Sequence, residues 1–514
     1  MNLAMLLEMA AGGYGEREAL RCEGASWSYE ALFAAAGATA QALRAAGARH
    51  AALLDVTSPA VPIALFGAAW AGVPFAPLSY RLTEPEVEAL LERLAPVWLV
   101  TDAARAAGPL AAAGGASAAR RTLVTRERLL APAPAPDARD WPDDGDAIAL
   151  LLFTSGTTGA PKAAVLRHRH LVSYVLGTVE FGSAGDDEAA LVAVPPYHVA
   201  GMAAILSSVY AGRRLVQLPE FRAEAWIQTA RAERVTHAFV VPTMLARIVD
   251  ALAADGGGLP ALRALAYGGG PMPAPVIERA LALLPHVDFT NAYGLTETSS
   301  TIALLDPEQH RAAAASSDPR VRRRLGSVGR ALPGVEIQVR GPGGRVLPPG
   351  ETGEVYVRGE QVAGEYLGAA SRLDAEGWFA TRDQGWLDDE GFLFVCGRLD
   401  DVIVRGGENL SPGEIEEVLR SHPDVVDCAV VGVPDAQWGE AVAAAVVPRA
   451  GAALDPDALR GFVRERLRSS RTPERIVLCE ALPYTETGKL LRRRVREELF
   501  GAAARAPGAT LRAP

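Results

Sequence analysis

The chain has 514 residues, 49% of them hydrophobic and 22% charged, with a net charge of -10 and a pI of about 5.5. This length exceeds one ordinary core and implies two or more domains, and the composition is globular rather than disordered. The acidic balance argues against broad nucleic-acid binding but leaves room for a local anion site, and four cysteines without C-x-x-C spacing argue against a zinc site or disulfide framework and fit a reducing cytoplasm.

The opening MNLAMLLEMAAGGYGE lacks a basic n-region and carries Glu8, so it reads as a short amphipathic helix and not a signal peptide. The most apolar window, AVPIALFGAAWAGVPFAPL from Ala60, is interrupted by Pro62, Gly67, Gly72 and Pro74. It reads as a buried helix entering a strand, with no membrane span. Between about residues 30 and 130, helical stretches alternate with apolar runs such as HAALLDV and PVWLVTDA, the pattern of β-α units on a mainly parallel sheet. The Pro/Ala/Asp-rich stretch from Leu130 to Asp146 reads as a linker or exposed loop. The strand AIALLLFTS then feeds a glycine loop, TSGTTGAPKAA, which precedes a helix-like segment, AAVLRHRHLVSYVLG. Further strands are expected at AALVAVPP, RLVQLP, THAFVVPT and ALAYGGG. From Gly326 to Val395, short strands such as VEIQVRG and GEVYVRG between Pro/Gly turns suggest a small β-rich subdomain, and a compact α+β unit follows.

The glycine loop is the first chemical signal. Gly156 and Gly159 let a ligand approach the main chain, Thr154, Ser155, Thr157 and Thr158 add hydroxyls, and Lys162 adds a positive charge. Successive backbone N–H groups with a lysine suit a polyphosphate. It is not the G-x-x-x-x-G-K-[ST] loop, because Pro161 stands where that pattern needs glycine. Three further segments join it: NAYGLTET (Asn291 to Thr298), GWFATRDQGWLDDEGFLFVCGRLDDVIVRGGENLSPGEIE (Gly377 to Glu416) and PYTETGKLLRRR with Lys489.

In this order and spacing the four segments resemble the adenylate-forming (AMP-binding) superfamily, which includes acyl-CoA synthetases, adenylation domains and luciferase-like enzymes. The resemblance covers nearly the whole chain. It implies an α/β fold with a large N-terminal domain, residues 1–399, made of two β-α layered subdomains and a small β-rich subdomain. A smaller mobile α+β C-terminal domain would occupy 400–500, with 501–514 a disordered tail. By the same resemblance the enzyme joins a carboxylic acid to ATP with Mg²⁺, releases pyrophosphate, holds acyl-AMP, and lets the thiol of coenzyme A expel AMP.

Site roles follow by motif. Thr154, Ser155, Gly156, Thr157, Thr158, Gly159 and Lys162 would wrap the β- and γ-phosphates. Gly268, Gly269, Gly270 and Pro271 would border the adenine, with Asn291, Ala292 and Tyr293 opposite. Thr296 would touch the α-phosphate, and Glu297 would be the metal ligand. Asp383 would accept from the ribose hydroxyls, Arg398 would contact ribose and phosphate, and Lys489 would bridge the carboxylate and α-phosphate. Asp400 would be the hinge, and Gly406 and Gly407 would line the pantetheine tunnel. His198 would gate the acyl carboxylate in a pocket bordered by Val199, Gly201, Met202, Gly294, Ser299, Ser300 and Thr301.

Those pocket positions are small or apolar, which favours a bulky, apolar monocarboxylic acid. The expected enzyme is a cytoplasmic acyl-CoA ligase, monomeric or homodimeric, that binds no nucleic acid. Alternatives are an adenylation enzyme loading a carrier protein, an enzyme keeping only the thioester-forming half-reaction, and a non-catalytic binder of acyl-AMP or ATP. The chain departs from the family at Ala163 and Ala164 after the loop lysine, at Arg167, at Tyr484 and in SRTPE (Ser470 to Glu474). The Ala163 methyl raises the concern that the phosphate loop closes poorly.

Overall fold

The structure is a computed structural model that describes residues 1–501 except 109, 111–119, 135, 137–138, 155–160, 407, 468, 486–489 and the side chain of Asn409. Within the described residues the N-terminal part holds two large sheets. One has six strands in the spatial order Arg121–Thr125, Val97–Thr101, His50–Leu54, Phe75–Pro77, Ile148–Thr154 and Lys162–Arg167. Its strands pair in parallel until the last two, which are antiparallel. The second has nine strands, and its parallel centre runs through Arg214–Gln217, Ala189–Val192, His237–Val240, Ala264–Gly268 and Asp288–Leu295. Strands covered on both faces must be apolar throughout, which is why Val97–Thr101 and Ala189–Val192 are buried at every position.

The helix Ala60–Ala71 is buried at every residue but the last and stops at Gly72, whose φ of 75° is the left-handed cap that glycine tolerates. It runs into the strand Phe75–Pro77, as the sequence pattern implied. The amino-terminal helix spans Leu3–Tyr14. No helix among the described residues is long and apolar enough to cross a membrane. Cys22, Cys396, Cys428 and Cys479 are free thiols.

The stretch from Leu130 to Asp146 is the exposed loop that its composition implied, whereas the helix expected directly after the glycine loop is corrected. The exposed loop straps the helices Tyr29–Ala45 and Ala60–Ala71, with Trp141 edge-on to Trp70 at 5.0 Å and Asp140 accepting from the Trp70 indole at 3.1 Å. The glycine loop leads into a strand, Lys162–Arg167, before the helix His168–Thr178 begins. That strand pairs antiparallel with Ile148–Thr154 on the other side of the loop, as the two arms of a hairpin do. The run from Ala163 to Leu166 is buried at all four positions although Lys162–Arg167 is the edge strand of its sheet, and its outer backbone groups are paired with the segment around Glu365.

A four-stranded antiparallel sheet follows, ordered Val335–Arg340, Gly353–Gly359, Phe379–Leu387 and Leu393–Arg398. Beyond it, a five-stranded sheet is built on the long pair Val425–Asp435 and Gly439–Pro448, with the helices Pro412–Arg420, Pro456–Arg464 and Arg492–Phe500 packed on it. Arg492 holds this unit together from inside. It donates to Glu416 Oε2 at 3.0 Å and to the Val430 carbonyl at 2.7 Å, and the Glu416 side chain is only 2% exposed.

Candidate active site

The strands on either side of the glycine loop pair with each other. Thr154 lies opposite Lys162, and its hydroxyl donates to the Lys162 carbonyl at 3.3 Å. Ser155, Gly156, Thr157, Thr158 and Gly159 lie outside the described residues. Lys162 is exposed at the exit of the loop. Ala163 and Ala164 are 1% and 0% exposed, and the Ala163 methyl belongs to the apolar cluster containing Leu54, Leu151 and Val165.

A second segment lies along the outer edge of the hairpin. Val165 N–H donates to the Glu365 carbonyl at 3.0 Å, and Leu367 N–H donates to the Ala163 carbonyl at 2.9 Å. The unusual Arg167 makes a two-pronged ion pair across this seam, donating to Glu365 at 2.9 and 2.8 Å. The segment carries Tyr366, which motif reading missed. Its hydroxyl donates to the Glu297 carboxylate in a short contact, and burial together with the Glu297 charge pushes the phenol well above its ordinary pKa. Glu297 sits on the turn Thr296–Thr298, and its carbonyl accepts from the Ala363 and Gly364 N–H groups at 2.8 and 3.3 Å. Beside Tyr366, Pro161 and Lys162 opens a cleft of about 330 Å³, with Arg93 and Arg372 on its rim.

Adjacent antiparallel strands place Asp383 opposite Arg398. Arg398 Nε lies 2.9 Å from Asp383 Oδ1, and the Tyr293 hydroxyl donates to Asp383 Oδ2 at 2.5 Å. Burial and the Asp383 charge raise the Tyr293 phenol far above its usual range, so it stays a donor. Tyr293 lies in the strand Asp288–Leu295, next to Ala292, which is in register with Gly268. A side chain at Gly268 would meet the Ala292 carbonyl oxygen at 2.1 Å, and Gly269 has a φ of 85°. Gly270 and Pro271 follow at the surface side of this turn. Asn291 is buried and spends its amide on the Ser327 carbonyl at 2.9 Å.

His198 occupies the N-cap position of the helix Val199–Ala211 without a side-chain capping bond, and its ring lies 4.6 Å from the Tyr197 ring. Burial lowers its pKa to about 4, so the imidazole is neutral near pH 7. Val199 is half-buried beside it, and Gly201 approaches the Pro195 carbonyl closely. Met202 faces the core, fully buried. Beneath this turn is a void of about 10 Å³ lined by Leu191, Val192, Val194, Ala200, Gly201, Ala204 and Phe239. Ser299 and Ser300 have φ of 56° and 108°, and Ser299 is fully buried. Thr301 is half-buried opposite Gly294, where an added side chain would meet the Ser300 carbonyl oxygen at 1.7 Å.

On the C-terminal side, Asp400 pairs with Arg382 at 2.6 Å, and Arg382 holds a left-handed φ of 64°. Gly406 donates its N–H to the Trp438 carbonyl at 2.8 Å. Gly407 and Lys489 lie outside the described residues. Tyr484 pairs with Leu490 and donates its hydroxyl to Asp427 at 2.6 Å. The structure thus brings Asp383, Arg398 and Tyr293 together, and Glu297 beside the hairpin stem. A compositional signal missed by motif reading supports both lysines. Of 51 basic Lys and Arg residues only two are lysine, and these are Lys162 and Lys489. A chain that uses arginine everywhere else retains an ammonium at these two points, and the two cations differ in geometry and donor number.

Comparison with known proteins follows the same lines. The family described as AMP-binding enzyme matches residues 7–367, and the AMP-binding enzyme C-terminal domain matches residues 414–489. A feruloyl-CoA synthase of Amycolatopsis sp is 34% identical over 490 residues, covering 94% of this chain and 96% of the relative. A fatty acid–[acyl-carrier-protein] ligase, ScoC of Streptomyces coeruleorubidus, is 33% identical over 503 residues, covering 95% and 94%. Among solved structures, the o-succinylbenzoate CoA synthetase (MenE) of Bacillus subtilis with its acyl-adenylate intermediate superposes with a TM-score of 0.81 at 29% identity, covering 96% of this chain and 97% of that one.

Proposed function

As a member of the AMP-binding enzyme family this chain is an AMP-forming acid–thiol ligase, and we propose that it activates a bulky, apolar monocarboxylic acid as acyl-AMP and passes the acyl group to coenzyme A. ATP, Mg²⁺ and coenzyme A are its cofactors. The donor set fits them. Glu297 offers a hard carboxylate oxygen for the metal, Asp383 offers paired acceptors for a diol, and cationic side chains flank the hairpin stem. When bound, the metal ion neutralises charge on the triphosphate.

The protein's own part is to bring two anions together. A carboxylate is a weak nucleophile and is repelled by the α-phosphate, so cations aimed at the developing charge are the main catalytic need. In this reading Lys162 and the loop hold the β- and γ-phosphates, Asp383 and Arg398 fix the ribose, and Lys489 serves the first half-reaction. Neutral His198 borders the acid without adding a charge. After pyrophosphate leaves, the C-terminal domain turns at Asp400, removes Lys489 and brings Gly406 and Gly407 to the thiol's path. Domains of 1–399 and 400–500 suit that motion. The four free thiols support a cytoplasmic location.

The substrate class rests on the sequence positions expected to border the acid, among them Val199, Gly201, Met202 and Gly294, which are small or apolar and offer no cation for a second carboxylate. Ala163 gives no ground for loss of adenylation, since its methyl packs in the core. ATP–pyrophosphate exchange without CoA, run against fatty, aryl and polycyclic acids and against dicarboxylic acids, tests the reading. Exchange with an apolar monocarboxylic acid supports it, and a preference for a dicarboxylic acid overturns it. Supplying CoA or a carrier protein to the responsive acid identifies the thiol. Lys489→Ala should abolish exchange while sparing thioester formation from supplied acyl-AMP; equal loss of both would contradict the domain rotation.

A further inference from the structure

The cleft at the hairpin stem contains two cations that no motif accounts for. Arg93 donates to the Pro161 carbonyl at 2.8 Å and lies over the Phe153 ring at 5.3 Å, at the base of the phosphate loop. Arg372 lies over the Tyr366 ring at 4.6 Å on the opposite wall. Lys162 lines the same cleft. Among the described residues neither Arg93 nor Arg372 pairs with a carboxylate, whereas Arg167, Arg398 and Arg492 each do. The Tyr366 hydroxyl reaches the Glu297 carboxylate, so the cleft runs between the loop stem and the acid that suits a metal ion. Three cations with no carboxylate ion-pair partner among the described residues, around about 330 Å³, make a seat for a small, highly charged anion.

We propose that this cleft receives the diphosphate that leaves ATP, with Arg93 and Arg372 as its binding residues; the proposal rests on the adenylation reading above. In that step a carboxylate oxygen bonds to the α-phosphorus as the bond from that phosphorus to the bridging oxygen breaks. The electron pair stays with the departing diphosphate, and no proton or redox partner is required. The diphosphate leaves with the charges of the β- and γ-phosphates and one more on the former bridging oxygen, and so needs more cations than a single lysine supplies. The two arginines lie outside the loop, at the Pro161 carbonyl and over the Tyr366 ring, and neither is assigned a part in holding the nucleoside.

Calorimetric titration of the full chain with inorganic pyrophosphate in Mg²⁺, and separately with AMP, tests this without any acid substrate. Both side chains are exposed, and a thermal melt confirms that variants fold. The double variant Arg93→Met, Arg372→Met is expected to weaken pyrophosphate roughly tenfold, as two exposed charge contacts together suggest, while AMP weakens less than about twofold. The lysine pair Arg93→Lys, Arg372→Lys should recover most of the loss. Unchanged pyrophosphate affinity in the methionine variant overturns the proposal, and so does an equal loss for AMP, which would mark a general field. Failure of the adenylation reading shows elsewhere, as wild-type protein that binds pyrophosphate but exchanges it with ATP for no acid.

Discussion

Replacing Asp383 by asparagine asks whether this carboxylate reads the ribose. The side chain is 7% exposed and accepts from Tyr293 at 2.5 Å and from Arg398 at 2.9 Å. Asparagine preserves the shape: its oxygen can face Arg398, and its amide can donate to the Tyr293 hydroxyl. The change is thus confined to charge and to one acceptor. A hydrogen bond to a charged acceptor contributes about 1.5–3 kcal/mol and one to a neutral acceptor about 0.5–1.5, so each ribose hydroxyl loses roughly 1 kcal/mol and the diol roughly 2. The expected result is a rise of about 30-fold in KM for ATP in pyrophosphate exchange. The same variant assayed with 2′,3′-dideoxy-ATP has no diol to lose, and its penalty should fall below about threefold. Equal penalties for the two nucleotides would refute the assignment and leave Asp383 as a structural partner of Arg398.

Three other outcomes follow from the geometry. Ala163→Gly should lose roughly 1 kcal/mol of stability in urea unfolding, through a vacated core methyl and a looser strand, with no faster exchange; a faster exchange would restore the methyl as an obstacle to the loop. Breaking the half-buried Arg167–Glu365 pair with Arg167→Glu or Glu365→Arg should lower stability by about 1–2 kcal/mol each, and the double swap should recover at least half of one loss, which an additive loss would contradict. His168 and His170 accept backbone N–H groups at 3.2 Å through Nδ1, and burial lowers both pKa values to about 4 from 6.5. Their contribution is present above pH 6.5 and is lost as pH falls toward 4; at pH 5.5 each has already given up about 1.4 kcal/mol by linkage. Urea midpoints that stay flat from pH 7 to 5.5 would contradict this.

The parallel strands were legible because burial on both faces leaves continuous apolar runs such as PVWLVTDA and AALVAVPP. The hairpin after the glycine loop was not, since AAVLRHRHL carries apolar residues that suit either a buried strand or the start of a helix, and only pairing with Ile148–Thr154 decides. The same limit applies to the site. Asp383 and Arg398 sit in one motif and meet across one register, so their partnership follows from local sequence. Tyr366 and Arg93 reach the hairpin from segments 204 and 68 residues away from Lys162 and Pro161, and nothing local announces them. Arg167 looked like a bare departure until Glu365, far along the chain, supplied its counter-charge.

With lysine at two positions only, amine-directed chemistry has almost no target on this surface. Guanidinium groups carry the remaining positive charge, and they do not react with succinimidyl esters or cyanate at neutral pH as free amines do. One ε-amine stands exposed beside the cleft, and the other lies in the chain between Tyr484 and Leu490. A lysine-specific endoprotease can cut at two bonds, and an acylating probe can mark two side chains. Under the proposed roles of Lys162 and Lys489, each would report nucleotide occupancy or domain position without an engineered label.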